Sequence, residues 1–419
     1  MTDVILVAFE GPDRYAFVGG LGTRMRDLAE ALVDRGHRVH HLFVGDPGLR
    51  QRETRKDGRL TLERWCQWIS AYHPRDCYDG EEGKVPDFTR TVPRHLVDDL
   101  IAPAAAKGRR TVVLFEDWQT ADAAFATAAL LAARELRGAA SLFWTANNTY
   151  GFGRVDLQAL ARVATLATVS RFMGGEMARL GLDPAILPNG IAERWLRPLP
   201  AAAPRTLRAA LGERPTFVKI ARFDADKRWP WAIDAIAALH QMGTPARLVL
   251  RGSGNRHYAG EVFDRAAADG LSLERVALGP EAPLPEVAAA LARTAADIVV
   301  LDFFVAEGVL RTLYATADGV LANAEKEPFG LVGLEVMACG GIAYVGRTGE
   351  DYAVPYGNAV VVQTDDPREL AAHLDALRAN PQLAARIRAD GRATAQRYGW
   401  PRVLDGYEAA WGAAARLGR

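Results

Sequence analysis

Short apolar runs alternate along the chain with longer stretches in which Ala, Leu and Arg repeat at helical spacing. The runs that read as strands fall at residues 4–9, 39–44, 111–115, 141–145 and 166–170 in the first half. In the second half they fall at residues 216–221, 246–251, 275–278, 297–301, 319–323, 342–345 and 359–362. Helical patterns separate most of them, among them TRMRDLAEALVDRG (23–36) and PWAIDAIAALHQMG (230–243). Strand, helix, strand repeated in this way predicts parallel sheets covered on both faces.

The alternation lapses at RPLPAAAPRTLRAALGERP (197–215), where Pro and Ala dominate. This predicts an interdomain linker at 198–214, with an α/β domain at 1–197, another at 215–395, and an aromatic, amphipathic C-terminal helix at 396–419 that packs back on the first. Trp400, Tyr407 and Trp411 of that tail need a surface to cover. Residues 47–95 are too many for an ordinary strand-to-helix connection and read as a functional insertion.

Length agrees with two domains, because 419 residues exceed one ordinary core. Lys+Arg and Asp+Glu balance at 51 each, so net charge gives no reason to expect nucleic acid or an acidic membrane as partner. The three cysteines (Cys66, Cys77, Cys339) form no CxxC and no metal spacing with His, which suits a reducing cytoplasm and argues against disulfides or zinc. VILVAFEGP reads as a first strand rather than a signal peptide, and no apolar stretch approaches the ~20 residues needed to span a bilayer. The expected location is the cytoplasm; the sequence is silent on oligomeric state.

In parallel sheets of this kind ligands bind at the carboxyl ends of strands, near the switch in strand order. After the first strand, Gly19, Gly20 and Gly22 precede a helix, which suits either a diphosphate contact or simply a tight turn. The pattern is not GxGxxG and no acidic ribose partner ends the second strand, so a nicotinamide site is not indicated. After FVKIA come Arg222 and Lys227, placed either as a phosphate clamp or as ordinary solvated charges. After residues 319–321 comes ANAEKEPFG, with Glu327 in the loop and a helix starting near Gly330 or Leu331; Glu335 lies a turn further in. Between the two glutamates, the N–H groups of Phe329, Gly330, Leu331 and Val332 stand at a helix start. Two carboxylates around such donors can grip a phosphorylated, polyhydroxylated ligand; the alternatives are a dipole-favouring Glu335 and an exposed Glu327.

EKEPFGLVGLEVMACG resembles the Glu, seven residues, Glu signature of the retaining glycosyltransferases of family 4. GGLG (19–22), ATVSRFM, LPNGI (187–191), ARFDADKR, RGSGN, LYATADGVLANAEKEPFG and YGWPRVLDGYE match that family in order and spacing, leaving 47–95 outside. The resemblance implies the GT-B fold, two Rossmann-like doubly wound parallel-sheet domains facing a central cleft. It implies that Arg222 and Lys227 hold a donor diphosphate with the glycines of the first loop, Gly19 and Gly20. Glu327 would contact donor-hexose hydroxyls and Glu335 the nucleotide ribose, while amides near Gly330 and Leu331 reach sugar and phosphate. Two positions depart from the pattern: Ala16–Phe17–Val18 stands where many relatives have a Lys, and Asn147 stands where many have a His near the donor sugar.

The expected reaction moves a hexose from a nucleoside-diphosphate sugar to an acceptor hydroxyl with retention, without protein nucleophile, cofactor or metal, since no DxD-type carboxylate pair is expected in the cleft to hold Mg²⁺. The acceptor is expected on the first domain, from residues 69–84 with Tyr72 and Tyr78, and from EDWQTADA with Asp117, which directly follows a strand. RQRETRKDGR (50–59) reads as a solvated face, His37, His40 and His41 as structural, and Cys339 as packing. Two alternatives stay open: a GT-B phosphorylase using inorganic phosphate, and a nucleotide-sugar-binding protein without turnover.

Overall fold

A computed structural model of the chain describes residues 1–416. They divide into two compact units, one built from residues 1–192 with the chain from Gly399 onward, the other from residues 193–398.

The first unit holds β1 (Asp3–Val7), β2 (Arg38–Val44), β3 (Arg52–Arg55), β4 (Leu60–Trp65), β5 (Thr111–Glu116), β6 (Ala140–Ala146), β7 (Thr165–Thr168) and β8 (Ala185–Ile186). Their order in the sheet is β3-β4-β2-β1-β5-β6-β7-β8, parallel except for the β3–β4 pair. The second holds β9 (Thr216–Phe223), β10 (Arg247–Gly254), β11 (Leu273–Val276), β12 (Ile298–Leu301), β13 (Gly319–Ala322), β14 (Ala343–Val345) and β15 (Val360–Val361). They run parallel in the order β11-β12-β10-β9-β13-β14-β15. Strand order reverses at β1/β5 in the first sheet and at β9/β13 in the second, which marks the two places where each sheet can receive a ligand.

The central strands are buried on both faces, as their apolar runs require: β1, β5 and β6 have no exposed residue. In the second unit Phe217, Leu248, Ile298 and Leu321 from the strands pack with Trp229, Ile233 and Ile236 of the helix Trp229–Gln241. Each such side chain contributes about 1.5–3 kcal/mol through burial.

Residues 47–95 contain the β3–β4 hairpin and the helix Glu81–Arg94. RETR of β3 is too polar to read as a strand, and it survives as an edge strand because its charged side chains point to water. Lys84 organises the following loop from within: its Nζ donates to the carbonyls of Asp76, Cys77 and Asp79 and to the Tyr15 hydroxyl. Residues 198–214, expected as a linker, carry the helix Ala202–Leu211, whose Leu207 and Leu211 are buried in the second unit. The helix Trp400–Arg416 belongs to the first unit and buries Trp400, Tyr407 and Trp411 there. Gly190 of LPNGI makes room for it, since a Cβ at that position would meet the Trp400 ring at 2.4 Å.

Candidate functional site

In the second unit, the residues singled out after β9 and β13 come together. The loops are tied by a backbone bond from Glu325 N–H to the Asp226 carbonyl (2.8 Å). Lys227 Nζ reaches Glu327 Oε2 at 3.2 Å and Asp226 Oδ2 at 3.1 Å. Burial works against the Lys227 charge, but the two carboxylates outweigh it and hold the ammonium above its usual range. Arg222, at the exposed end of β9, pairs with Asp224 at 2.8 Å. Both cations are thus held in place by acids that an arriving anion could replace as partner.

The Glu327 loop is fixed through its main chain. Thr348 Oγ1 accepts from Glu327 N–H and donates to the Glu327 carbonyl, and Gly349 N–H also donates to that carbonyl. The helix begins at Leu331 as the sequence suggests, running Leu331–Ala338. Its cap is Gly330, at φ 85° and ψ 57°, a conformation that favours glycine. A Cβ there would lie 2.7 Å from Glu350 Cγ and 2.8 Å from Tyr352 Oη. No side chain caps this helix among the described residues, so the amides of Leu331 and Val332 remain at the open, positive end. Phe329 is buried against Tyr352 and Tyr398, which locks the turn. Glu335 is half-buried one turn into the helix.

Sequence reasoning missed Glu350. It is buried, accepts from Gly346 and Thr348 N–H, and is pushed up to about 8 by burial and by the charge of Glu327. It also missed Lys219 and Asn323, buried at the base of the same loops and bonded to each other at 3.0 Å. The lysine inside FVKIA was the available signal.

In the first unit a second cluster forms at the ends of β1 and β5. Asp117 follows β5 with φ 61° and ψ 173°, uncommon for a residue with a side chain. Its Oδ1 accepts from Asn147 N–H (2.9 Å) and its Oδ2 from Asn148 Nδ2 (3.0 Å). Burial first, and Glu116 and Glu10 with it, raises the Asp117 carboxyl to about 7 despite those bonds. Asn147 Nδ2 donates to Glu116 Oε2 at 2.7 Å, so this side chain is turned toward the buried acid. Glu116 in turn is paired with buried Arg24.

The glycine loop holds an unexpected acid, Glu10, whose carboxyl burial pushes above its usual range against the hydrogen bonds it accepts. Glu10 Oε2 accepts from the N–H groups of Gly19 (2.8 Å), Gly22 (2.8 Å) and Val18 (3.2 Å), and Oε1 accepts from the Tyr78 hydroxyl (2.9 Å). The amide of Gly19 therefore already serves a carboxylate of the chain, and a donor phosphate would have to displace it. Gly20 opens the helix Gly20–Asp34. Of the two expected acceptor tyrosines, Tyr78 is committed to Glu10 and lies near Asp117, whereas Tyr72 is 81% exposed and is not part of the cluster. Glu10 was legible only as an acid just after the first strand.

His41 is buried, and burial pushes its imidazole down to about 3; His40 and His95 both bond Glu63. Cys339 is buried and its thiol raised to about 12, chiefly by burial. Among the described residues no group of three or more His, Cys, Asp or Glu is placed to hold a metal ion, and no helix is long and apolar enough to cross a membrane.

Two family models match the chain, "Glycosyltransferase Family 4" over residues 18–195 and "Glycosyl transferases group 1" over residues 207–394. A D-inositol 3-phosphate glycosyltransferase of Thermobispora bispora is 36% identical over 107 residues, 25% of this chain and 25% of that protein. A GDP-mannose-dependent alpha-(1-6)-phosphatidylinositol dimannoside mannosyltransferase of Mycobacterium tuberculosis is 27% identical over 256 residues, 61% of this chain and 59% of that protein. The matched stretches thus span between a quarter and about three-fifths of these relatives. Among solved structures, the catalytic domain of starch synthase IV from Arabidopsis thaliana, bound to ADP and acarbose, superposes with a TM-score of 0.71 at 15% identity, covering 99% of each chain. The architecture is that of the GT-B glycosyltransferases.

Proposed function

The chain belongs to glycosyltransferase family 4, and we propose that it moves a hexose from a nucleoside-diphosphate sugar to a hydroxyl of a sugar, polyol or similar small molecule, retaining the anomeric configuration. The observation that carries this reading is the Lys227–Glu327 pair, set at the β9/β13 switch beside the uncapped helix start at Gly330. A diphosphate would take Lys227 and Arg222 as partners, with the amides near Leu331 at its other side. Glu327, released from its cation, would accept from sugar hydroxyls, and Glu335 from the ribose.

Negative charge builds on the diphosphate as the C1–O bond breaks, and Lys227, Arg222 and the helix start stabilise it there. The acceptor hydroxyl attacks from the face that the diphosphate leaves, and a diphosphate oxygen takes its proton. Glu327 orients the sugar in this scheme and does not attack it. The acceptor is assigned to the first unit, where Asp117, its carboxyl raised to about 7, stands at the end of β5 and is bonded by Asn148 from the end of β6. Metal independence is part of the proposal. The names of the relatives, one GDP-mannose-dependent and one acting on D-inositol 3-phosphate, are in keeping with a nucleotide-hexose donor and a polyol acceptor.

The test is nucleotide release from a panel of UDP-, GDP- and ADP-sugars with EDTA present, beside thermal-shift binding of each and NMR of the product anomer. One donor that raises the melting temperature and is cleaved is the expected result. A panel that neither binds nor reacts would overturn the reading, and inverted product would overturn retention. Phosphate-dependent cleavage of a disaccharide without nucleotide would replace the reading with phosphorolysis.

A further inference from the structure

Lys219 stands in β9, the strand at the switch of the second sheet, and is 1% exposed. Burying an ammonium costs several kcal/mol unless it is paired, yet among the described residues no carboxylate touches this one. Its Nζ donates to the Leu321 carbonyl at 3.2 Å and to Asn323 Oδ1 at 3.0 Å, and lies 5.3 Å from the centroid of the Trp229 ring. Both acceptors sit at the end of β13, where the chain leaves the sheet for the loop carrying Glu327. A neutral amine has two N–H bonds and an ammonium three. Two acceptors is what Lys219 finds among the described residues.

The charged groups felt by Lys219 are those of the donor loops. Lys227 and Arg228 disfavour its charge, while Asp226 and Glu327 favour it. The two acids are themselves engaged by Lys227, at 3.1 and 3.2 Å. Burial, and then the charge of Glu327, raises the Glu350 carboxyl.

We propose that Lys219 is a positioning residue of the donor site, holding the root of the Glu327 loop and gaining a proton when an anionic diphosphate binds beside Lys227. The inference rests on the donor reading given above. In the empty protein burial, then the cations Lys227 and Arg228, bring Lys219 down to about 7. Near neutral pH the amine form therefore satisfies its two acceptors at little cost. A diphosphate adds negative charge and occupies Lys227, which shifts Lys219 toward the ammonium. Binding and protonation then favour each other by the same factor.

Isothermal titration of UDP, GDP and ADP, run at pH 7.5 in two buffers of different ionisation enthalpy, counts the protons taken up on binding. The wild type should take up on the order of half a proton more than Lys219→Met does with the same nucleotide. Using one nucleotide for both cancels the phosphate's own titration and the uptake by Glu350. Lys219→Arg, charged at every pH used, should also lack that extra uptake, and it carries the comparison even where Lys219→Met fails to fold. Wild-type affinity should fall severalfold between pH 6.5 and 8.5, and the Lys219→Arg curve should be flatter. Equal proton uptake in the wild type and in Lys219→Met or Lys219→Arg, with nucleotide bound in each, overturns this inference alone. A wild type that binds none of the three nucleotides overturns the donor reading and this inference with it.

Discussion

Replacing Arg24 with Met should unseat the first unit while leaving the second intact. Arg24 is 1% exposed, and its guanidinium meets Glu116 at 3.1 and 3.2 Å, Asn189 Oδ1 at 2.6 Å and the Tyr407 hydroxyl at 2.8 Å. It ties the helix Gly20–Asp34, β5, the LPNGI segment and the C-terminal helix to one buried point. Methionine keeps the length of the stem but supplies none of these bonds. Glu116, fully buried, would keep only the Asn147 amide at 2.7 Å. Removing one partner of a buried ion pair costs about 3–5 kcal/mol, because the remaining charge stays buried. In a unit of this size each kcal/mol moves the midpoint by roughly 2–4 °C, so its transition should fall by about 6–20 °C. Scanning calorimetry reads it directly: one transition shifts and the other holds. The double variant Arg24→Met, Glu116→Leu should recover most of the loss, since it buries no unpaired charge. A shift below about 3 °C, or a double variant no more stable than the single one, refutes this account.

Lys227→Met should lower donor turnover by about 10²–10³-fold, and Glu327→Gln should slow it without trapping a glycosyl adduct; nucleotide release and intact-protein mass spectrometry check the two, and an adduct on Glu327→Gln would reverse the role given to that residue. Gly330→Ala puts a side chain at φ 85° and within 2.7 Å of Glu350 Cγ, so it should lose about 1–3 kcal/mol and the nucleotide-induced thermal shift; wild-type melting with wild-type nucleotide response counts against the capping argument. His41 is held neutral, with its folded value depressed to about 3, so the stability tied to it is present above about pH 6.5 and drains away as pH falls toward 3. His41→Phe should therefore lose less melting temperature than the wild type between pH 7 and 5, and parallel curves would refute the assignment.

Much of the fold could be read from the chain because doubly wound sheets advertise themselves: a strand buried on both faces must be apolar throughout. All the strands expected from apolar runs are present within a few residues. What escaped were β3, β4 and β8: RETR of β3 owes its strand state to pairing with β4 at the sheet edge, β4 lies inside the stretch that reads as an insertion, and β8 has only two residues. Residues 202–211 escaped likewise, because Pro204 and a run of alanines look like linker although Leu207 and Leu211 are spaced to share a helical face. At the donor loops the reading placed Lys227 and Glu327 at strand ends, yet nothing in the sequence said that they touch; the β9/β13 adjacency does that. Glu10, Lys219 and Glu350 were hard to single out for one physical reason. Each is an ionisable residue whose partners are backbone groups or distant side chains, so no local spacing marks it.

The two switch points differ in the charged groups they gather, and on the proposed reading this separates their ligands. At the end of β1 the amides of Val18, Gly19 and Gly22 converge on Glu10, with Asp117 and the Arg24-paired Glu116 close by, so these amides already serve an acid of the chain. A phosphate brought there would have to displace Glu10 from those amides, whereas hydroxyl groups would find acceptors. At the end of β9 and β13 the balance is reversed. Lys227 and Arg222 are held by acids that can turn to other work, and the helix start at Gly330 has no side-chain cap among the described residues. The proposed ligand, with a diphosphate at one end and hydroxyls at the other, would find both kinds of partner in that second arrangement. On the proposed reading the glycines after β1 serve as the seat of Glu10, and the diphosphate would be taken mainly by the second unit.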